Sequence, residues 1–398
     1  MLVRIALVGP THPIKGGVSQ HTTVLARRLV DAGHDVEIVS WLRQYPERFY
    51  PGQQTVDVPE FPLFEPVSRV LCWNRPDTWI HAARSLRDRD LVVFAHITPV
   101  QAPAYRVMLG QLRRAGIRTQ VICHNVLPHE SHRVDEYMVT QLLNATDRVL
   151  VHSEAQEKIA RRLTGTRIVM SPIAPFIPEG FVRSQPGVGE HRRLIFFGLI
   201  RPYKGLDVLL RALARGPSGI RLRVAGEFWG GIASTQQLCR ELGISDRVEL
   251  RPGYVAAQEV PELFSDVDAM VLPYRSATGS QGVWTGFEFG VPVIATRAGH
   301  LADDIADGVD GLIAEPDSVE SLAEVINCFY APGVPERMRL AVQPVDPDPY
   351  WACYLTALVG QWNDDRLTQQ PALPRGKLWH LAKRGAEEVF GTRRSRSS

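Results

Sequence analysis

Short β-rich apolar runs alternate with segments of helical spacing from one end of this chain to the other, and no other feature restricts its fold as much. A strand covered on both faces reads as a near-continuous apolar run. A strand lying parallel to its predecessor also needs a crossover, so the pattern calls for parallel sheets between layers of helix. In the first half the strand candidates are residues 4–8, 36–41, 91–95, 120–124, 149–152 and 167–170. In the second they are 194–198, 222–225, 248–250, 269–272, 293–295 and 311–314. Helices fit between them, as at 18–32, where Val18, Leu25, Leu29 and Ala32 keep helical spacing. At 398 residues the chain exceeds what one core usually supports, and segment 171–190, with four prolines and three glycines, suits a linker. The expected division is a first domain at 1–180, a second at 181–345, a helix within 346–365 and a basic tail at 366–398. That helix carries Trp351, Tyr354, Leu355, Leu358 and Trp362 at helical spacing, an aromatic stripe that must be buried.

Composition removes several function classes. The chain is 44% hydrophobic and 22% charged, which suits an ordinary folded enzyme. Forty-five Lys and Arg against 43 Asp and Glu leave a formal charge of +2, and no nucleic-acid partner is expected. The tail is the exception, with seven basic residues against Glu387 and Glu388 from Arg375 onward. Leu378, Leu381, Ala382, Ala386, Val389 and Phe390 fall near one helical face there, so the tail either touches an anionic membrane surface, packs on the first domain or simply solubilises the chain. Five scattered cysteines without CxxC spacing point to a reducing compartment. With no secretory pattern and no apolar run of membrane-spanning length, the expected location is the cytoplasm, at most peripheral on the inner face of the membrane.

Three loops carry residue types suited to chemistry. GPTHPIKGGVS at 9–19 follows the first strand and opens a helix; Gly16 and Gly17 allow positive φ, and the N–H groups behind them suit a phosphate or a sugar. Such a glycine pair also serves as a bare turn, and this is not the dinucleotide GxGxxG. FFGLIRPYKGLDVLL at 196–210 ends a strand at Gly198 and places Arg201 and Lys204 on one loop at a strand's carboxyl end, where two cations can neutralise a diphosphate; a solvated basic loop is the bland alternative. YRSATGSQGVWTGFEFGVPVIAT at 274–296 holds a Gly-rich turn with Ser280, Gln281 and Gly282 before a helix expected from Val283, with Glu288 one to two turns on, able to accept both hydroxyls of a ribose or to be a surface glutamate.

In this order the three segments resemble the GT-B glycosyltransferases of the family 4 type, the group 1 glycosyltransferases. The likeness extends over residues 1 to about 365, and includes GHLADDIADGVDGLIAEP at 299–316, CHNVLPHE at 123–130 and VLVHSEAQEKI at 149–159. It implies an α/β fold of two Rossmann-like domains facing across a cleft, with the last helix crossing back to the first domain. The implied activity is transfer of a sugar, with retention of configuration, from a nucleotide diphosphate sugar to an acceptor hydroxyl on a polysaccharide, glycolipid or natural-product precursor. The alternative is a non-catalytic partner subunit that binds nucleotide or stabilises another transferase.

The resemblance assigns His124, Arg201 and Lys204 to catalysis and Gly16, Gly17, Gly198, Glu227, Ser280, Gln281, Gly282, Val283 and Glu288 to the donor. His96 ends a strand beside His124 and is placed on the acceptor side, with a structural histidine as the alternative. Two departures stand out. Of the family's two glutamates eight positions apart, the first falls on Ser280 or Ala277 and the second on Glu288 or Thr285, depending on the anchor. The family's loop arginine is Leu199 here, with Arg201 as its replacement. No cofactor is expected. No metal is expected either, because the DxD strings at Asp88/Asp90 and Asp266/Asp268 precede strands and Asp346/Asp348 lies in the final linker.

Overall fold

The structure, a computed structural model, describes residues 2–46, 54–56, 62–128, 132–176, 191–277 and 281–360. They form two compact units, residues 2–176 with 347–360, and residues 191–346.

Unit 1 contains strands β1 (Arg4–Val8), β2 (Asp35–Arg43), β3 (Val67–Cys72), β4 (Leu91–His96), β5 (Arg118–Cys123), β6 (Arg148–Val151) and β7 (Arg167–Met170). Helices α1 (Gly17–Asp31), α2 (Pro76–Ser85), α3 (Ala102–Arg114), α4 (Arg133–Leu143) and α5 (Glu154–Leu163) connect them. All neighbouring strands are parallel, in the order β3-β2-β1-β4-β5-β6-β7. The order reverses between β1 and β4, the switch point where loops at the carboxyl edge diverge and a ligand can enter. Successive residues of a strand face opposite layers. Ala6 and Val8 therefore join one core with Trp41, Phe94 and Tyr105, while Ile5 and Leu7 join another with Leu25 and Leu29.

Unit 2 repeats the plan with β8 (Arg193–Phe197), β9 (Arg221–Gly226), β10 (Val248–Pro252), β11 (Ala269–Leu272), β12 (Val293–Thr296) and β13 (Gly311–Ala314). Its helices are α6 (Leu206–Arg215), α7 (Ala233–Glu241), α8 (Val260–Phe264), α9 (Gly282–Glu288), α10 (Val319–Phe329) and α11 (Val334–Ala341). The parallel order is β10-β9-β8-β11-β12-β13, with its switch point between β8 and β11.

The chain then returns to unit 1 as α12 (Asp348–Val359). Trp351, Tyr354 and Leu358 are buried in the Ile5 and Leu25 core, so the aromatic stripe is covered as its composition required; Trp362 lies outside the described residues. Three contacts fix this helix: Trp351 Nε1 donates to the Pro175 carbonyl at 2.8 Å, Arg28 pairs with Asp348 at 2.6 Å, and the buried Arg148 donates to the Leu358 carbonyl.

One strand was not expected. β3 falls where no strand candidate was placed, because Ser68 and Arg69 interrupt its apolar run and Pro62 and Pro66 precede it. An edge strand needs one partner only, and β2 supplies it through an irregular register. Of the acidic pairs, Asp90 and Asp268 do lie at strand amino ends, where Asp268 accepts from the His191 and Arg193 backbone N–H groups. Asp348, expected in a linker, opens α12 instead.

Candidate functional site

In unit 2 the loops following β9, β8 and β11, three adjacent strands, come together at the carboxyl edge of the sheet. The loops after β8 and β9 continue to pair beyond the strands: Gly198 N–H donates to the Ala225 carbonyl at 2.9 Å, Ile200 N–H to Glu227 at 2.8 Å and Trp229 N–H to Ile200 at 3.1 Å. This approach requires glycine at 226, since a Cβ there would fall 1.8 Å from the Gly198 carbonyl oxygen, and the backbone φ is +143°. Gly198 itself has φ +109°, which turns the chain out of the strand and directs Arg201 and Lys204 onto the loop.

The two cations are held differently. Arg201 has its guanidinium carbon 3.6 Å from the centroid of the Trp229 ring, a cation–π stack on the neighbouring loop. Lys204 Nζ lies 5.2 Å from the Tyr274 ring centroid and above Gly198, 3.7 Å from where a Cβ would stand. Burial works against its charge, but Tyr274 and Tyr203 outweigh burial and hold its pKa above the ordinary lysine value. The ammonium is therefore charged at neutral pH.

Arg275 fastens this loop to the one after β11. Its backbone N–H donates to the Tyr203 carbonyl at 2.7 Å, and its guanidinium reaches the Pro202 carbonyl at 2.7 Å, both oxygens of Asp207 at 2.8 Å and Asp317 at 2.8 Å. Those carboxylates hold its pKa above the ordinary arginine value, the hydrogen bonding to Asp207 contributing most. Neither Arg275 nor Trp229 stood out in the sequence. The signals were an arginine just beyond the strand ending in Leu272 and an aromatic in the glycine-rich GEFWGG turn.

α9 begins at Gly282 with Gln281 as its N-cap, one residue before the expected start, with Val283 buried in its first turn, and the helix has only seven residues. Glu288 is its last residue, about 9 Å along the axis from Gly282. Thr285, the other position for the family's second glutamate, turns its hydroxyl back onto the Gln281 carbonyl at 2.9 Å. Ser280 lies outside the described residues.

In unit 1, the loop after β1 and the first turn of α1 occupy the corresponding edge. Gly16 has φ +111° before α1, which only glycine takes readily; Gly17 is the first helical residue and needs no positive φ, contrary to expectation. His124 lies one residue beyond β5, its backbone N–H donating to the His96 carbonyl at 3.0 Å. It joins two histidines that sequence reasoning left out. The ring centroids of His21 and His124 are 4.9 Å apart, those of His124 and His152 5.2 Å, and those of His21 and His152 6.1 Å. Burial drives the pKa of His21 and His124 well below the ordinary imidazole value, the neighbouring imidazoles adding to it, and pulls His152 down to about 4.

His96 ends the central strand β4 at 0% exposure, a placement in keeping with the structural histidine named as the alternative to an acceptor-side role, and a short loop follows it. That loop is held by Gln101, which accepts from the Ile97 N–H at 2.9 Å and donates to the Tyr105 hydroxyl at 3.3 Å. Among the described residues no group of three or more His, Cys, Asp or Glu side chains is arranged to hold a metal, and no helix is long and apolar enough to cross a membrane.

Residues 15–172 match the family model described as Glycosyltransferase Family 4, and residues 191–331 match that described as Glycosyl transferases group 1. A D-inositol 3-phosphate glycosyltransferase of Mycobacterium marinum is 31% identical over 201 residues, covering 47% of this chain and 43% of that protein. The chain thus spans about half the length of the curated relatives it matches. Among solved structures, Anabaena Alr3699/HepE in complex with UDP superposes with a TM-score of 0.67 at 18% identity, over 90% of this chain and all of that one. The lipopolysaccharide outer core galactosyltransferase WaaB, in its apo form, gives 0.63 at 16% identity, over 90% and 99%. These structural likenesses identify the fold as GT-B.

Proposed function

We propose that this chain, which belongs to the group 1, family 4 glycosyltransferases, moves a sugar from a nucleotide diphosphate sugar to an acceptor hydroxyl with retention of configuration. The observation that carries the reading is the pair of cations at the unit 2 switch point, Arg201 on Trp229 and Lys204 beside Tyr274, on a loop fastened by Arg275. The bond from the sugar's anomeric carbon to the leaving diphosphate breaks as the bond to the acceptor oxygen forms on the same face. The acceptor's proton passes to the departing phosphate oxygen. Stabilising that diphosphate is the demanding part, and preorganised cations with N–H groups at Gln281 to Val283 suit it without a metal or cofactor. Glu227 lines the nucleotide side, Glu288 takes the ribose, and His124 with the Gly16 and Gly17 loop serves the reacting sugar. UDP in Alr3699/HepE makes uridine nucleotides the first donors to try.

The test is a screen of the purified full chain against UDP-, GDP-, ADP- and dTDP-sugars, reading thermal stabilisation and release of the nucleoside diphosphate. At least one donor should be bound and turned over. Lys204→Ala or Arg201→Ala should then cost about a hundredfold in turnover, about 3 kcal/mol of transition-state stabilisation. Near-normal turnover in both variants would overturn the assignment, and nucleotide binding without turnover of any sugar would make the chain a non-catalytic binder. Ser280→Glu should shift sugar selectivity with little change in nucleotide affinity.

A glycolipid acceptor would place the enzyme at the cytosolic face of a membrane, with the basic tail as its contact. Sedimentation with anionic liposomes, comparing the full chain with one ending at Gln370, tests this: equal pelleting removes the tail's membrane role.

A further inference from the structure

We propose that α12 is a working part of the unit 1 site, fixing the His124 imidazole in position through His21. This rests on the reading of His124 as a site residue and extends it to positioning residues from two other segments.

His21, His124 and His152 come from α1, the residue after β5 and the residue after β6, and α12 closes over them. Trp351 stacks on His21 with centroids 5.6 Å apart and planes at 28°. Tyr354 meets His21 edge-on at 5.3 Å and stacks on His152 at 5.9 Å. Phe176 meets His21 edge-on at 6.0 Å. Of the two rings beside His124, then, His21 is held by three aromatic contacts and His152 by one. His152 is also fixed in tautomer: its Nδ1 lies 3.1 Å from the Ser171 carbonyl, which can only accept, so the proton is on Nδ1.

The cluster also has unmet hydrogen bonding. Nε2 of His21, of His124 and of His152, and the Tyr354 hydroxyl, are all buried with no hydrogen-bond partner among the described residues. Phenylalanine or leucine would fill such space without the penalty of an orphaned polar atom, so packing alone does not account for four polar rings here. The titratable and charged groups facing the cluster are His96 from β4, Tyr354 from α12, and Arg28 from α1, whose guanidinium carbon lies 5.9 Å from the Trp351 ring and which pairs with Asp348. No carboxylate among these described groups is left to balance a charge on His124. With α12 docked, His124 is both held in place and kept neutral, available as an uncharged donor or acceptor.

The test uses the full chain with 13C- and 15N-labelled histidine. The His124 signals are assigned by their loss in His124→Gln and followed from pH 8 to pH 5. In the natural sequence His124 should stay unprotonated well below the ordinary imidazole range, because it is buried beside other imidazoles. In His21→Ala and Tyr354→Ala its midpoint should rise by about one unit or more toward the ordinary value of 6.5. His21→Phe, which keeps the ring contact, should restore the low midpoint. Tyr354→Leu keeps the apolar volume and serves if Tyr354→Ala does not fold. An ordinary midpoint in the natural sequence, or one that is the same in every folded variant, overturns the proposal. If the midpoints move as expected while His124→Gln turns over donor normally, the role given to His124 falls and its positioning by α12 stands.

Discussion

A glycine can be required for both its φ and the space its missing side chain leaves, for φ alone, or for neither, and positions 226, 16 and 17 present these three cases in turn. Gly226→Ala combines φ +143° with a Cβ 1.8 Å from the Gly198 carbonyl oxygen, and backbone cannot move aside as a side chain can. The expected loss is more than about 3 kcal/mol of stability, read as a drop in the unit 2 melting transition. Gly16→Ala meets nothing within 4 Å and bears only the strain of φ +111°, so about 1–2 kcal/mol is expected. Gly17→Ala, at an ordinary helical position with open space, should be neutral or slightly stabilising. Three melting curves decide the series, and equal losses at 226 and 16 would contradict it. Arg275→Ala removes the fastening between two site loops. Because the Asp207 pair is about one-third exposed, the stability cost should be only about 1–2 kcal/mol after solvent screening. The larger effect should be on donor turnover.

Among the elements, α12 is held at its far end by one buried polar side chain, in addition to its other contacts. Arg148, at 2% exposure, donates to Gln120 Oε1 at 2.8 and 3.2 Å and to the Leu358 carbonyl. Burial pulls its pKa down to about 10, which leaves it charged at neutral pH. Arg148→Met keeps the volume but strips donors from two acceptors, and about 2–3 kcal/mol should be lost, with Trp351 emission shifting to the red as the helix loosens. An unchanged emission spectrum would show that α12 is held without this contact. The elements themselves were largely legible in the sequence, because a strand covered on both faces declares itself as an apolar run and its loop follows at the carboxyl end. That is why Arg201, Lys204 and Gln281 could be placed on their loops. β3 was lost because an edge strand has no such run. The His21 cluster and the Trp229 and Arg275 contacts were lost for another reason: each is made between segments far apart in the chain, and periodicity carries no information about which loops meet.

Across the molecule, the groups shifted furthest by burial in the acid range are histidines in unit 1 and two carboxyls in unit 2. Unit 1 holds His12, His96 and His152 at about 4, with His21 and His124 also depressed, in each case mainly by burial. A histidine with a lowered folded pKa contributes fully above 6.5 and loses that contribution as pH falls, about 1.4 kcal/mol at pH 5.5 for each ring that stays neutral. Unit 2 holds Asp304 and Asp310 at about 6, again raised mainly by burial. A carboxyl with a raised folded pKa favours the folded state more as pH falls from about 6 toward 4. Calorimetry at pH 7.5 and pH 5.5 should therefore show the unit 1 transition moving down while the unit 2 transition holds or rises; a common shift of both would refute the division. The return of α12 also sets an order of events during synthesis. A ribosome adding about 5–20 residues per second needs roughly ten to thirty-five seconds to pass from the end of unit 1's first segment to α12. Throughout that interval the nascent sheet of unit 1 lacks the helix that covers His21 and His152, and every strand of unit 2 is made before that helix appears. The half of the protein translated first is the half that finishes folding last, and whatever shields that open histidine face in the meantime must let go when residue 348 arrives.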